Sequence, residues 1–151
     1  MKLFIRAHDL GVKGEENIAA RLDEFGLSGV QLVAYKALDG IAYTPGSITT
    51  ERAEAFRSTF EAAGKTVPLI GAYFNPVHPD EKKTENGIAV FKDYLAHAKE
   101  LGCDIVGSET GSYNGDKWTY HPQNRTEEAV NRVIGTFSEL CDYAKDFGAY
   151  V

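Results

Sequence analysis

The feature that most constrains this chain is a unit that recurs along it: a helical stretch ends at a glycine and an apolar run follows. The four glycines are Gly26, Gly64, Gly102 and Gly148. Glycine readily adopts the left-handed conformation that ends a helix, and recurrence at a fixed spacing is typical of a repeated supersecondary unit. The last run, 149–151, has three residues. This pattern predicts that the chain stops inside a repeat and is part of a larger design.

Strands and helices are predicted to alternate along the whole chain. Apolar runs predict strands at Leu3–Ala7, Val30–Ala34, Val67–Tyr73 and Ile105–Ser108. Apolar residues at helical spacing predict helices over Glu15–Phe25, from Thr49 or Thr50 to Gly64, from near Thr84, and after Thr126 along a stripe from Val130 to Phe147. The strand runs are almost continuously apolar, which is typical of parallel strands covered on both faces.

This alternation implies right-handed crossovers and a parallel sheet. Two architectures fit: a (β/α)8 barrel, usually about 250 residues long, interrupted near its middle, or a doubly wound open sheet. The open sheet normally finishes with a fifth helix, which this chain lacks, and no glycine-rich nucleotide loop follows a strand. We therefore predict an incomplete barrel of about four βα repeats plus the start of a fifth strand, forming a single domain over residues 1–151.

Charge and composition limit the partners of the chain. A net charge of −6 disfavours general binding to nucleic acid or to an anionic membrane. No run approaches the roughly 20 apolar residues of a membrane span, and the apolar start is too short for a signal peptide. We expect a cytoplasmic protein without nucleic-acid or membrane partners. Cys103 and Cys141 are both expected to be small buried apolar residues rather than a disulfide.

Ligands of parallel α/β proteins meet the carboxyl ends of the strands. The candidate residues at that edge are His8, Tyr35, Asn75, His78, Glu109 and Trp118. The Glu109 carboxylate could hold a sugar hydroxyl or act as a base. Prolines on both sides of His78 stiffen its loop. The Trp118 indole could form a flat wall against a ligand. Each of these side chains could instead only bond to a neighbouring loop. His78, Glu109 and His121 have suitable types for zinc or manganese, but their spacing matches no known motif, so we predict no metal site in this chain.

Two segments carry a resemblance to a known family. Ile105–Tyr113 resembles the fourth-strand segment of sugar phosphate isomerase/epimerase proteins, the xylose isomerase-like TIM barrels. Gly71–Pro76 together with His78–Asp80 resembles the third strand and its loop. The resemblance extends over the whole chain but only over the N-terminal half of the family's barrel.

The resemblance implies carbohydrate metabolism: isomerase or epimerase chemistry on a small sugar or polyol. In such barrels a divalent metal, manganese, magnesium or zinc, assists carboxylates that move a proton beside a carbonyl. The usual ligands are a Glu at the end of strand five and Asp, His and Glu residues on strands six to eight, beyond Val151. No catalytic residue is therefore assigned, no metal is expected for this fragment alone, and whether the fragment is an enzyme stays open. The six edge residues named above transfer as substrate-binding candidates.

Three alternatives remain at this point. A self-associating half-barrel could close its open strand edges as a homodimer and bind a small ligand without catalysis. A complete open α/β sheet could also bind a small ligand. A metal-dependent endonuclease-like branch shares the family's fold and keeps His78 of interest, although the acidic charge disfavours it.

Overall fold

The computed structural model describes residues 1–115, 117 and 119–151. The strands are β1 Phe4–Arg6, β2 Gly29–Leu32, β3 Thr66–Gly71 and β4 Val106–Gly107. The helices are α1 Glu15–Glu24, α2 Ala34–Ala37, α3 Thr50–Ala62, α4 Glu81–Ala96 and α5 Glu127–Lys145. Short 3-10 helices lie at Ala7–Leu10 and Pro122–Arg125.

The four strands form one parallel sheet in the order β1-β2-β3-β4. A further parallel bridge joins Ile105 to Tyr150. There the Tyr150 amide donates to the Asp104 carbonyl over 2.7 Å, and the Val106 amide donates to the Tyr150 carbonyl over 2.9 Å. Sequential strand order is typical of a barrel wall, whereas a doubly wound sheet has its first strand in the middle of the sheet, between later strands. The predicted incomplete barrel with the start of a fifth strand is confirmed, and the open-sheet alternative is wrong.

The hydrophobic core lies between one face of this sheet and the helices. Leu32, Ile70 and Val106 are neighbours in register on that face, and all three are fully buried. The large rings of Phe56 on α3 and Phe91 on α4 pack into the same cluster. The other face of the sheet carries residues such as Gln31, which is half-buried. A polar residue on this inner face can reach the carboxyl edge of the sheet, where the site described below lies.

Side-chain caps explain where three helices begin. Thr49 accepts from the Arg52 amide at the start of α3, and Thr126 accepts from the Ala129 amide at the start of α5, so both predicted starts are confirmed. The predicted start of the third long helix near Thr84 is wrong. Asp80 caps α4 instead by accepting from the Lys82 amide. Thr84 lies one turn inside, where its hydroxyl donates to the Asn75 carbonyl over 3.0 Å.

Two other sequence predictions need correction. The predicted strand Val30–Ala34 ends at Leu32, because Ala34 already begins the short helix α2. The run looked like one strand because Val33 and Ala34 are as buried as the strand itself. Cys103 is buried as expected, but Cys141 is exposed because it lies beside, and not on, the buried stripe of α5. Within the described part of the chain, no helix is both long and apolar enough to cross a membrane.

Candidate functional site

A cleft of about 570 Å³ opens at the carboxyl ends of β2 and β3. Its aromatic lining consists of Tyr35, Tyr43, Tyr73 and Phe74, and its other lining residues are Asn75, His78, Lys82, Lys83, Asn86 and Gly115. The chain after β2 forms one side of the cleft, and the chain after β3 with the first turns of α4 forms the other. The cleft brings together three of the predicted edge residues: Tyr35, Asn75 and His78.

Tyrosine side chains build one wall of the cleft. The rings of Tyr35 and Tyr43 lie 4.9 Å apart between centroids with a 58° tilt. The Tyr43 hydroxyl donates to the Tyr73 carbonyl over 3.0 Å, and the Tyr35 amide donates to the Tyr94 hydroxyl over 3.2 Å. Burial, assisted by Tyr35, raises the pKa of Tyr43 to about 12. Burial, assisted by Tyr73, also raises the pKa of Tyr35. At neutral pH these phenols are therefore hydrogen-bonding groups and not bases.

Asn75 joins the loop after β3 to the loop after β4. Its Nδ2 donates to the carbonyls of Ser112 (2.7 Å) and Gly115 (3.0 Å). Its Oδ1 accepts from the amides of Val77 and Ser112, each over 3.1 Å. A primary amide has two donors and two acceptor positions, so the side chain is fully occupied inside the protein. The geometry makes Asn75 a loop anchor, and its predicted contact with a substrate stays a prediction.

His78 lies inside the wall of the cleft and is 6% exposed. Its Nδ1 accepts from the Asp80 amide over 2.9 Å. Its carbonyl accepts from Arg132 on α5 over 3.5 Å. The Asp80 contact holds the imidazole beside the cleft, and a substrate contact by His78 stays a prediction.

His8 and Glu109 are not among the residues that line the cleft. His8 lies in the 3-10 helix after β1, where its Nδ1 is buried without a hydrogen-bond partner among the described residues. Glu109 follows β4 and is exposed, and it forms no hydrogen bond or ion pair with another described residue. Trp118 lies outside the described residues. Substrate contacts by these three residues stay predictions.

Tyr43 and Gln31 are among the residues of the site that the sequence did not single out. Tyr43 comes from the long segment between α2 and α3, and Gln31 reaches the site from the inner face of β2. The Gln31 Nε2 donates to the Tyr73 hydroxyl. The alternation of β2 places Gln31 on the face opposite the core, which is the signal that could have marked it.

The described residues offer no metal centre. Over residues 1–115, 117 and 119–151, no three side chains of His, Cys, Asp or Glu are grouped so that they could hold a metal ion. His121, one of the candidates considered from the sequence, instead caps the second 3-10 helix by accepting from the Gln123 amide.

We expect His8 to make the free energy of unfolding depend on pH. Burial first, and then Lys36, lower the pKa of His8 below its usual 6.5, partly offset by Asp9. Between the lowered pKa and 6.5 the unfolded chain binds a proton that the folded chain does not. Stability therefore rises with pH through that interval and is fully present above it. Urea denaturation at several pH values from about 5 to 7 gives the free energy of unfolding at each pH. This free energy should rise less steeply with pH in His8→Asn than in the unsubstituted chain. An equal slope in the two proteins would contradict the prediction.

Comparison with known proteins identifies the fold. Residues 19–151 match the profile of the family described as xylose isomerase-like TIM barrel. A candidate xylose isomerase from Rhodospirillum rubrum aligns with 23% identity and a TM-score of 0.72, covering 99% of this chain and 52% of that one. A D-psicose 3-epimerase solved in the presence of D-fructose aligns with 14% identity and a TM-score of 0.68, covering 99% of this chain and 50% of that one.

A third solved structure extends this comparison. A xylose isomerase-like TIM barrel protein from Mycobacterium smegmatis, in complex with magnesium, aligns with 16% identity and a TM-score of 0.65, covering 98% of this chain and 52% of that one. The chain thus spans about half the length of these solved relatives. No curated protein matches the sequence significantly. The profile match over most of its length, on a parallel sheet in barrel order, shows that the chain belongs to the xylose isomerase-like TIM barrel family.

Proposed function

We propose that this chain forms the substrate-side wall of a sugar isomerase/epimerase-like barrel, and that its cleft binds a small sugar or polyol. The observation that carries the proposal is the cleft at the carboxyl ends of β2 and β3, which combines aromatic and polar lining residues. That edge is where barrels of this type bind ligands. Aromatic faces can cover the C–H faces of a sugar ring, while a few placed polar groups fix its hydroxyls.

Known relatives guide the choice of sugar. The D-psicose 3-epimerase of similar fold was solved in the presence of D-fructose. A second such enzyme, from Clostridium cellulolyticum, was solved with D-tagatose. Ketohexoses are therefore the ligand class that we propose for the cleft.

We assign binding to this chain and no step of proton transfer. The magnesium complex of one relative supports a metal cofactor for a complete barrel. The described residues of this chain, however, provide no group of ligands that fits such an ion. A metal would polarise the sugar carbonyl. The role left to the cleft is to hold and orient the sugar beside that chemistry.

Titration with D-fructose tests the proposal. We expect saturable binding with a dissociation constant of about 1 mM, or about −4 kcal/mol, as befits a small polar ligand. Two-dimensional NMR should show the largest shift changes at the ends of β2 and β3. Tyr35→Ala should weaken binding roughly 5-fold, because it removes one aromatic wall.

Phe25→Ala is the matched control, since it removes an exposed ring from the end of α1, away from the cleft. It should leave the affinity for D-fructose unchanged. Failure of the unsubstituted chain to bind D-fructose, D-psicose and D-tagatose would overturn the proposal, as would equal weakening by the two variants.

A further inference from the structure

We infer that Gln31 sets the hydroxyl of Tyr73 as a hydrogen-bond donor in the cleft, so that Tyr73 selects ligands with an acceptor oxygen at that place. Gln31 is then a positioning residue and Tyr73 a specificity-determining one. The inference rests on the proposed sugar binding and names the polar recognition within it.

The sheet brings the two side chains together although 42 positions separate them in the sequence. Gln31 lies opposite Arg6 and Leu69 in the register of the sheet, on its inner face. Tyr73 lies two residues after Gly71, the last residue of β3, and the Tyr73 ring lies across that glycine. A Cβ on Gly71 would stand 2.7 Å from the Tyr73 ring. The missing side chain at Gly71 therefore makes room for the Tyr73 ring to lie where Gln31 reaches its hydroxyl.

The chemistry of the pair determines where the phenolic proton goes. A phenol has one proton to donate and oxygen lone pairs that accept. The Gln31 Nε2 donates to the Tyr73 oxygen, so the proton of Tyr73 is not used between them. Tyr73 lines the cleft. Its proton is therefore available to an acceptor oxygen of a ligand, such as a sugar carbonyl.

Tyr43 supplies the opposite polarity beside it. Its hydroxyl donates to the Tyr73 carbonyl over 3.0 Å, so its proton is committed and its oxygen can still accept. The cleft thus presents a donor on Tyr73 and an acceptor on Tyr43. A hydroxyketone, with a carbonyl oxygen next to a hydroxyl group, matches this pair of groups. A polyol without a carbonyl can match it only through a hydroxyl that accepts.

Gln31→Glu provides the sharpest test, because a carboxylate has the shape of the amide but accepts only. The Tyr73 proton would turn toward Glu and away from the cleft. We expect Gln31→Glu and Tyr73→Phe each to weaken D-fructose binding roughly 5-fold, the size of one hydrogen bond. Gln31→Met, which leaves the proton free, should weaken binding less than either.

A variant that combines Gln31→Glu with Tyr73→Phe separates redirection of the Tyr73 proton from a general effect of the new charge. In the Tyr73→Phe background, Gln31→Glu should have no further effect on affinity, because no phenolic proton remains to redirect. Thermal melts should confirm that each variant is folded, and Tyr73→Phe tests the donor by itself if Gln31→Glu does not fold.

Three results would overturn the inference. Unchanged affinity in Tyr73→Phe would show that Tyr73 donates nothing to the ligand. Unchanged affinity in Gln31→Glu would show that Gln31 accepts the phenolic proton through its carbonyl. Either of these leaves the proposed function standing, because the unsubstituted chain still binds. Absence of binding by the unsubstituted chain overturns the proposed function and this inference together.

Discussion

Replacing Gly29 by alanine is expected to lower the free energy of unfolding by about 3 kcal/mol, the upper end of the usual cost of overpacking. Gly29 is the first residue of β2 and pairs with Thr66, the first residue of β3. A Cβ at Gly29 would stand 1.9 Å from the Thr66 carbonyl oxygen and 2.9 Å from its amide nitrogen. These are backbone atoms of a paired strand, so no side-chain rotation relieves the clash. The two strands would have to move apart where they begin to pair.

Urea denaturation followed by circular dichroism measures this loss, and Gly135→Ala is its matched control. Gly135 lies within α5, and a Cβ there would meet no atom within 4 Å. Since glycine within a helix costs about 0.5–1 kcal/mol relative to alanine, Gly135→Ala should stabilise the chain. Equal denaturation midpoints for Gly29→Ala and the unsubstituted chain would contradict the close approach of β2 and β3.

The architecture could be predicted from the sequence because its signals are local. A glycine follows each of the four long helices, and an apolar run begins each strand. The order of helices and strands could therefore be predicted, and their alternation predicted a parallel sheet. The caps at Thr49 and Thr126 were predictable for the same reason. Asp80 was missed because the polar stretch before Thr84 shows no apolar period, and the helix begins with its exposed first turn.

The site was predictable only in part because its contacts depend on register and on loop paths. The rule that ligands meet the carboxyl ends of strands selected Tyr35, Asn75 and His78, which line one cleft, while their contact with a substrate stays a prediction. It could not show that the cleft opens at β2 and β3, leaving His8 at the end of β1 outside it. Gln31 acts across the sheet, and only the pairing of β2 with β3 reveals its partner.

Asn75→Ala should have the second large effect, a loss of about 3 kcal/mol in the free energy of unfolding. The substitution removes four hydrogen bonds and leaves the amide and carbonyl of Ser112 without their partner. Ser112 is 3% exposed, so water cannot easily replace that partner. Each buried polar group left unsatisfied costs about 1–3 kcal/mol. Urea denaturation measures the total, and faster hydrogen exchange at the Ser112 amide should locate it.

Asn17→Ala is the control for loss of an asparagine hydrogen bond at the surface. Asn17 is exposed, and among the described residues its side chain donates only to the Lys13 carbonyl, over 2.8 Å. Its loss should therefore cost less than about 0.5 kcal/mol. Asn75→Asp should destabilise the chain nearly as much as Asn75→Ala. It keeps the two accepted bonds but sets a carboxylate against the carbonyls of Ser112 and Gly115.

The same variants distinguish the two roles of Asn75, loop anchor and substrate ligand. An anchor loses stability first, and ligand affinity falls only because the loop holding Ser112 and Gly115 shifts at the edge of the cleft. A ligand-binding residue loses affinity for D-fructose while the free energy of unfolding stays near that of Asn17→Ala. The second pattern would contradict the anchor and support the contact predicted from the sequence. Because both donors and both acceptor positions of Asn75 are already used inside the protein, we expect the first pattern.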